Sequence, residues 1–241
     1  MFQKIIKQIK HSGIKFTKLP IIIIFLSALF FTSCSKKNKN KKLAQNYYKM
    51  SILDLEDENL TEKNYKKSLQ NIEAAIKEDP DNSIYLAHKA TILFLLKKSD
   101  ESEKIFQKAL SVKSPPTTKT EILNNYACLL ASSGKSEKAL KIFEQLENDK
   151  NYLTPELAQV NQAKIYYEKK DYPIAKTKLA KAIRNSDDYV DAHYYLGVVS
   201  FLTNDFETSR QAMEKTILLE PTHIGAKKIY ALLENQNENN E

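Results

Sequence analysis

Residues 196–221 read LGVVSFLTNDFETSRQAMEKTILLEP. Gly197 stands in an apolar run, Asn204-Asp205 interrupts it, Phe206 and Met213 restart it, and Glu220-Pro221 stop it. A helix, a tight turn and a second helix fit this order. Apolar residues recur at helical spacing on both sides of a turn signal. The same frame recurs 34 residues earlier, where Ala163, Tyr166, Asp171-Tyr172, Ala175, Leu179 and Ala182 stand. It recurs again with Leu123, Tyr126-Ala127, Leu130, Gly134, Ala139 and Phe143. Small residues alternate with large apolar ones at fixed offsets, as two packed antiparallel helices require.

Working outward, five hairpins account for residues 43–219: about 43–79, 83–112, 119–147, 155–184 and 190–219. Ser114-Pro115-Pro116 separates the second from the third, and Pro173 suits the first turn of a helix. The first hairpin carries a turn about five residues longer than the others, with Glu56-Asp57-Glu58 in it, and insertions of this kind map to loops. Thr222 is placed as the N-cap of a final helix over 222–234 that caps the array, and 235–241 is expected to be a disordered tail. The pattern resembles the tetratricopeptide repeat, W-x2-L-G-x2-Y then A-x3-F then P. The fold class is therefore all-α, a tetratricopeptide-repeat superhelix in which each repeat buries its face against its neighbours.

The formal charge of +7 is uneven. Residues 1–42 hold ten lysines and no acid, and the rest carries 27 basic and 30 acidic residues. With the basic excess confined to one terminus, the repeats lack the clustered cations of a nucleic-acid surface. Lysines up to Lys18, an apolar run from Leu19 to Phe31 and then Thr32-Ser33-Cys34 form an export signal over 1–33. The run is short of the roughly 20 residues that span a bilayer. Phe31-Thr32-Ser33-Cys34 resembles a bacterial lipobox, and the resemblance implies lipidation of Cys34 and a membrane anchor. An ordinary signal or an uncleaved anchor with an incidental cysteine is the alternative. Residues 34–42 then read as a Lys/Asn-rich tether. Ser35 after the cysteine is compatible with sorting to the periplasmic face of an outer membrane. Cys128 is left either as a small helix residue or as a thiol for an intermolecular bond.

No Ser/His/Asp, metal-ligand or phosphate-cradling constellation is present, and the four glycines never cluster. The chain reads as a binding protein, with no catalysis, cofactor, metal or small-molecule substrate expected. The repeat resemblance places an inner face on the first helix of each hairpin, at two and three residues before the small position and one and four after it. These positions hold Ala87, His88, Thr91 and Phe94; Asn124, Asn125, Cys128 and Ala131; Val160, Asn161, Lys164 and Tyr167; and Tyr194, Tyr195, Val198 and Phe201. Phe94, Tyr167 and Phe201 form an aromatic row that marks either a binding surface or packing between repeats. Lys164 is the one lysine in the set, so a lysine-based clamp for a peptide carboxylate is incomplete. An apolar helix or extended segment suits the face better.

From about Glu121 to Ile183, Glu121-Ile-Leu-Asn-Asn-Tyr-Ala127, the Gly134 turn, Ala139-Leu-Lys-Ile-Phe143, the Tyr152-Leu-Thr-Pro155 linker and the following hairpin resemble the central segment of the type IV pilus pilotins, the PilF/PilW biogenesis and stability family. That resemblance implies a protein partner, the secretin, which the pilotin carries to the outer membrane and helps to form its ring. An adaptor for cell-wall or outer-membrane assembly enzymes is the alternative.

Overall fold

The computed structural model describes residues 36–56 and 59–237. The signal segment and Cys34 lie outside the described residues. Eleven α-helices are present among those described: α1 Lys36–Leu53, α2 Glu62–Glu78, α3 Ser83–Leu95, α4 Ser99–Ser111, α5 Pro116–Ser132, α6 Ser136–Glu147, α7 Pro155–Glu168, α8 Tyr172–Asn185, α9 Val190–Leu202, α10 Phe206–Leu219 and α11 Ile224–Asn237. They pair as five hairpins plus α11. Each helix packs against the one before and the one after it.

Four of the five turns have the same wiring. Lys97, Gly134, Lys170 and Asn204 adopt the left-handed conformation, with φ of 62, 76, 62 and 58°. The next residue's N–H reaches back to a carbonyl five positions earlier: Lys98 to Leu93 at 2.9 Å, Lys135 to Leu130 at 2.8 Å, Asp171 to Tyr166 at 2.8 Å and Asp205 to Ser200 at 2.9 Å. This is the Schellman closure, which satisfies carbonyls left open at a helix end. Asp171 and Asp205 then cap the following helices through the N–H groups of Ile174 and Thr208. Among the described residues of the longer first turn, none shows this wiring.

The hairpins close on two small positions. Ser51, Ala90, Ala127, Ala163 and Gly197 face Ser68, Ser102, Ala139, Ala175 and Ser209, all of them buried. Where the second member is serine, its hydroxyl donates to the facing carbonyl: Ser68 to Ser51 at 2.7 Å, Ser102 to Ala90 at 2.6 Å and Ser209 to Gly197 at 2.8 Å. A Cβ on Gly197 would meet Met213 Cε at 2.4 Å and Ala212 Cβ at 3.3 Å, so one could enter that crossing only if the Met213 side chain shifted. Four residues after the second small position, Ile72, Phe106, Phe143, Leu179 and Met213 fill the space between hairpins, each at most 1% exposed.

Ion pairs join neighbouring hairpins. The Glu147 side chain is 3% exposed and accepts from Lys178 at 2.9 Å, from Gln162 at 2.8 Å and from Lys181. Burial pushes its carboxyl up, but those hydrogen bonds outweigh it and hold the pKa down at about 2.

Three expectations need correction. Lys36–Lys42 is helical, continuous with the rest of α1, where a flexible tether was expected. The stretch has no Gly or Pro, and lysine is a good helix former. Thr222 does not cap the last helix. His223 does, its Nδ1 accepting from the Ala226 N–H at 3.0 Å. That helix runs on to Asn237, past the expected start of a disordered tail at 235. Residues 238–241 lie outside the described residues.

Candidate functional site: the inner face of the first helices

The first helices of hairpins two to five also touch one another in order, α3 to α5 to α7 to α9, whereas no comparable contact joins the second helices. An array whose first helices crowd together curves toward them, so these helices line the inner face. Near the middle of that face Asn161 Nδ2 lies 3.4 Å from Asn124 Oδ1 and 3.5 Å from Cys128 Sγ. Asn124 is itself buried, and Asn125 beside it is half-buried. Burial pushes the Cys128 thiol up to about 12, which keeps it protonated and unreactive at neutral pH.

Lys164 is engaged within the chain. Its Nζ lies 2.8 Å from Asp191 and 4.7 Å from the centre of the Tyr195 ring. The aromatic set continues from there. Tyr195 contacts Tyr194 at 5.4 Å and Tyr167 at 6.3 Å between ring centres, and Tyr194 stacks on His223 at 4.4 Å. A second set lies at the other end, where Tyr48 meets Tyr85 at 5.0 Å and His88 at 5.3 Å. His88 Nε2 sits 3.0 Å from Ser51 Oγ, and burial lowers its pKa to about 4.

Of the sequence-derived positions, Thr91, Phe94, Asn125, Cys128, Asn161, Lys164, Tyr167 and Tyr194 are half-buried on this face. Phe94 leans on the large central core, and the Thr91 hydroxyl is returned to the Ala87 carbonyl at 3.2 Å. Val198 and Phe201 belong elsewhere. They are 6% and 3% exposed, packed with Met213 and with Ala226, Ile229 and Leu233 of α11. The last helix covers the positions that the repeat frame alone marks as surface, so Phe201 leaves the aromatic row.

Reading helix positions alone missed the linkers. Tyr152, between α6 and α7, is 5% exposed, with its hydroxyl buried beside Thr154. Burial raises its pKa. Thr154 offsets part of the rise, and Cys128, Glu156 and Glu121 add to it. Tyr189, before α9, is raised by burial and by Asp191, Tyr152, Glu156 and Cys128. Tyr152 thus belongs to the large central core ahead of α7, and Tyr189 packs against the neighbouring cluster ahead of α9. The only available signal was a tyrosine in each linker just ahead of a first helix.

No curated protein matches the chain significantly. Among solved structures, PilW, described as a widely conserved type IV pilus biogenesis factor, superposes with a TM-score of 0.63 at 21% identity. The match covers 86% of this chain and 94% of that one. Pseudomonas aeruginosa pilF gives a TM-score of 0.63 at 15% identity, over 82% of this chain and 91% of that one. TTC0263, a tetratricopeptide-repeat protein of Thermus thermophilus, gives 0.60 at 15% identity, over 79% and 98%. At these identities the likeness is one of fold. The family described as "Psidin, N-terminal TPR repeats region" matches residues 58–218, well over half of the sequence. With the repeated hairpins and their shared turn, this match shows that the chain belongs to that tetratricopeptide-repeat family, whose architecture is a scaffold for protein–protein contact.

Proposed function

We propose that this chain is a lipid-anchored scaffold of the bacterial envelope that acts as a pilotin, carrying the secretin of a type IV pilus to the outer membrane and aiding its assembly. The inner face of α3, α5, α7 and α9 is the surface that receives the partner. The observation that carries this reading is the likeness to PilW, which spans 86% of this chain and 94% of that protein. The pilotin-like stretch 121–183 and the lipobox-like Phe31-Thr32-Ser33-Cys34 support it. Cys34 holds the acyl chains, since two or more anchor a protein stably where one does not.

Deletion of the gene tests the reading. Secretin is expected to remain monomeric, with few heat-resistant multimers in membrane fractions and few surface pili. Normal multimers in the deletion strain would reject the pilotin role and favour an adaptor for other envelope enzymes. Fatty-acid labelling that is lost in Cys34→Ala tests the anchor separately.

A further inference from the structure

The outward side of α1 takes no part in the packing of the array. Its other side is buried toward α2, through Ala44 in one cluster with Ile72 and through Ser51 against Ser68. The outward side carries Lys42, Leu43, Asn46, Lys49, Met50 and Leu53, all exposed. At ~100° per residue these positions fall within an arc of about 120°. The helix holds six lysines and no acid. Neither Lys42 nor Lys49 enters an ion pair among the described residues. Asp54, just past the helix, is turned inward. Its side chain is 7% exposed and is held by Lys67 and Asn71, each at 2.7 Å. The exposed acid Glu56 stands farther on, in the turn.

Single exposed leucines are ordinary on a protein surface. Three aliphatic side chains interleaved with unpaired cations, with no carboxylate among them, select a particular kind of occupant. A second copy packed face to face would set Lys42 and Lys49 against their own kind, and like charges repel. An anionic bilayer meets both needs. The ammonium groups take the headgroups, the lysine stems lie along the surface, and the aliphatic tips enter the acyl boundary. Cys34 precedes the start of α1 by two residues, a reach of at most about 7 Å. A lipid at Cys34 would make the contact intramolecular, so that even a small patch binds effectively.

We infer that this face of α1 lies along an anionic lipid surface, so that the first hairpin rests on the bilayer and the inner face is held in a fixed attitude to it. The inference rests on the lipid-anchor part of the proposed function and is independent of the secretin role.

The chain has no tryptophan, so a single one reports its own surroundings. The test places Met50→Trp in the full-length protein, purified from envelopes and reconstituted into vesicles of phosphatidylethanolamine and phosphatidylglycerol with brominated acyl chains. Its emission should shift to the blue and lose about half its intensity, as for a ring ~5–10 Å into the boundary of headgroups and chains. Leu218→Trp, in the last hairpin and 75% exposed, should stay unquenched. Lys42→Glu/Lys49→Glu should remove most of the quenching from Met50→Trp, as should vesicles of phosphatidylcholine alone. Should Met50→Trp fail to fold, Leu53→Trp reads the same face. An unquenched Met50→Trp in protein that floats with the vesicles would overturn the inference and leave the anchor standing. Equal quenching in phosphatidylcholine would overturn the anionic surface as the occupant. A blue shift that follows protein concentration and not lipid would overturn it in favour of a second copy. Protein that does not float with the vesicles would overturn the anchor and the inference together.

Discussion

The two ends of the array meet water differently. At the C-terminal end α11 lies over the last hairpin and brings Val198 and Phe201 to 6% and 3% exposure. At the other end nothing among the described residues covers α1, which leaves Leu43, Met50 and Leu53 41%, 46% and 62% exposed. A repeat position therefore has no fixed burial. Its environment depends on whether another helix follows it, as expected for a stack stabilised by nearest neighbours.

The contrast can be broken most directly with Phe201→Ala, which leaves a cavity between α9, α10 and α11 and should cost about 3–5 kcal/mol in denaturant unfolding. A loss under 1 kcal/mol would mean that α11 does not cover the last hairpin in solution. Next in size is Gly197→Val. The added carbons must displace Met213 and Ala212, and overpacking of this kind costs about 1–3 kcal/mol.

Acid sharpens the comparison through Glu147, which joins hairpins three and four. Its folded pKa, held at about 2, lies below the usual carboxylate range, so the unfolded chain binds a proton first as pH falls. The stability it supplies is complete above the unfolded pKa and disappears as pH drops toward 2. Discounted for solvent near its lysine partners, it is worth about 1–2 kcal/mol. Urea melts across pH 5 to 2 should show that slope, and Glu147→Gln should flatten it.

A smaller gain is expected from Lys170→Gly. That residue sits at φ 62°, which glycine adopts without the steric cost a side chain incurs, and thermal melts should rise by about 1 kcal/mol or less. The smallest effect belongs to the uncovered end. Leu53→Gln should shift stability by at most about 0.5 kcal/mol, because an exposed side chain gives up little burial.

Most of the architecture was legible because its signals are local. Gly134 and Asn204 mark turns by their own backbone preference, and Ala90, Ala127, Ala163 and Gly197 mark crossings occupied by small buried residues. The site was less legible. Phe201 follows the same frame as Tyr167, and only the distance to α11 separates them. Tyr152 joins the central core from a linker, outside any helical period. Lys164 was read as available for a partner, although Asp191, 27 positions away, had already engaged it. Long-range pairing of that kind leaves no trace in spacing. His223 displaced Thr222 as a cap by a single residue, a difference that propensity alone does not resolve.

The recurring left-handed turn also bears on mechanical load. Each Schellman closure fastens a hairpin to itself, so tension drawn along the chain would meet four similar clasps in series. Hairpin one, closed by a longer turn, shows no such clasp among its described residues, and a pulling experiment should see it yield before the others. The remaining hairpins should release one at a time in a sawtooth of similar steps. A protein built in this way would lengthen under strain and keep most of its inner surface assembled.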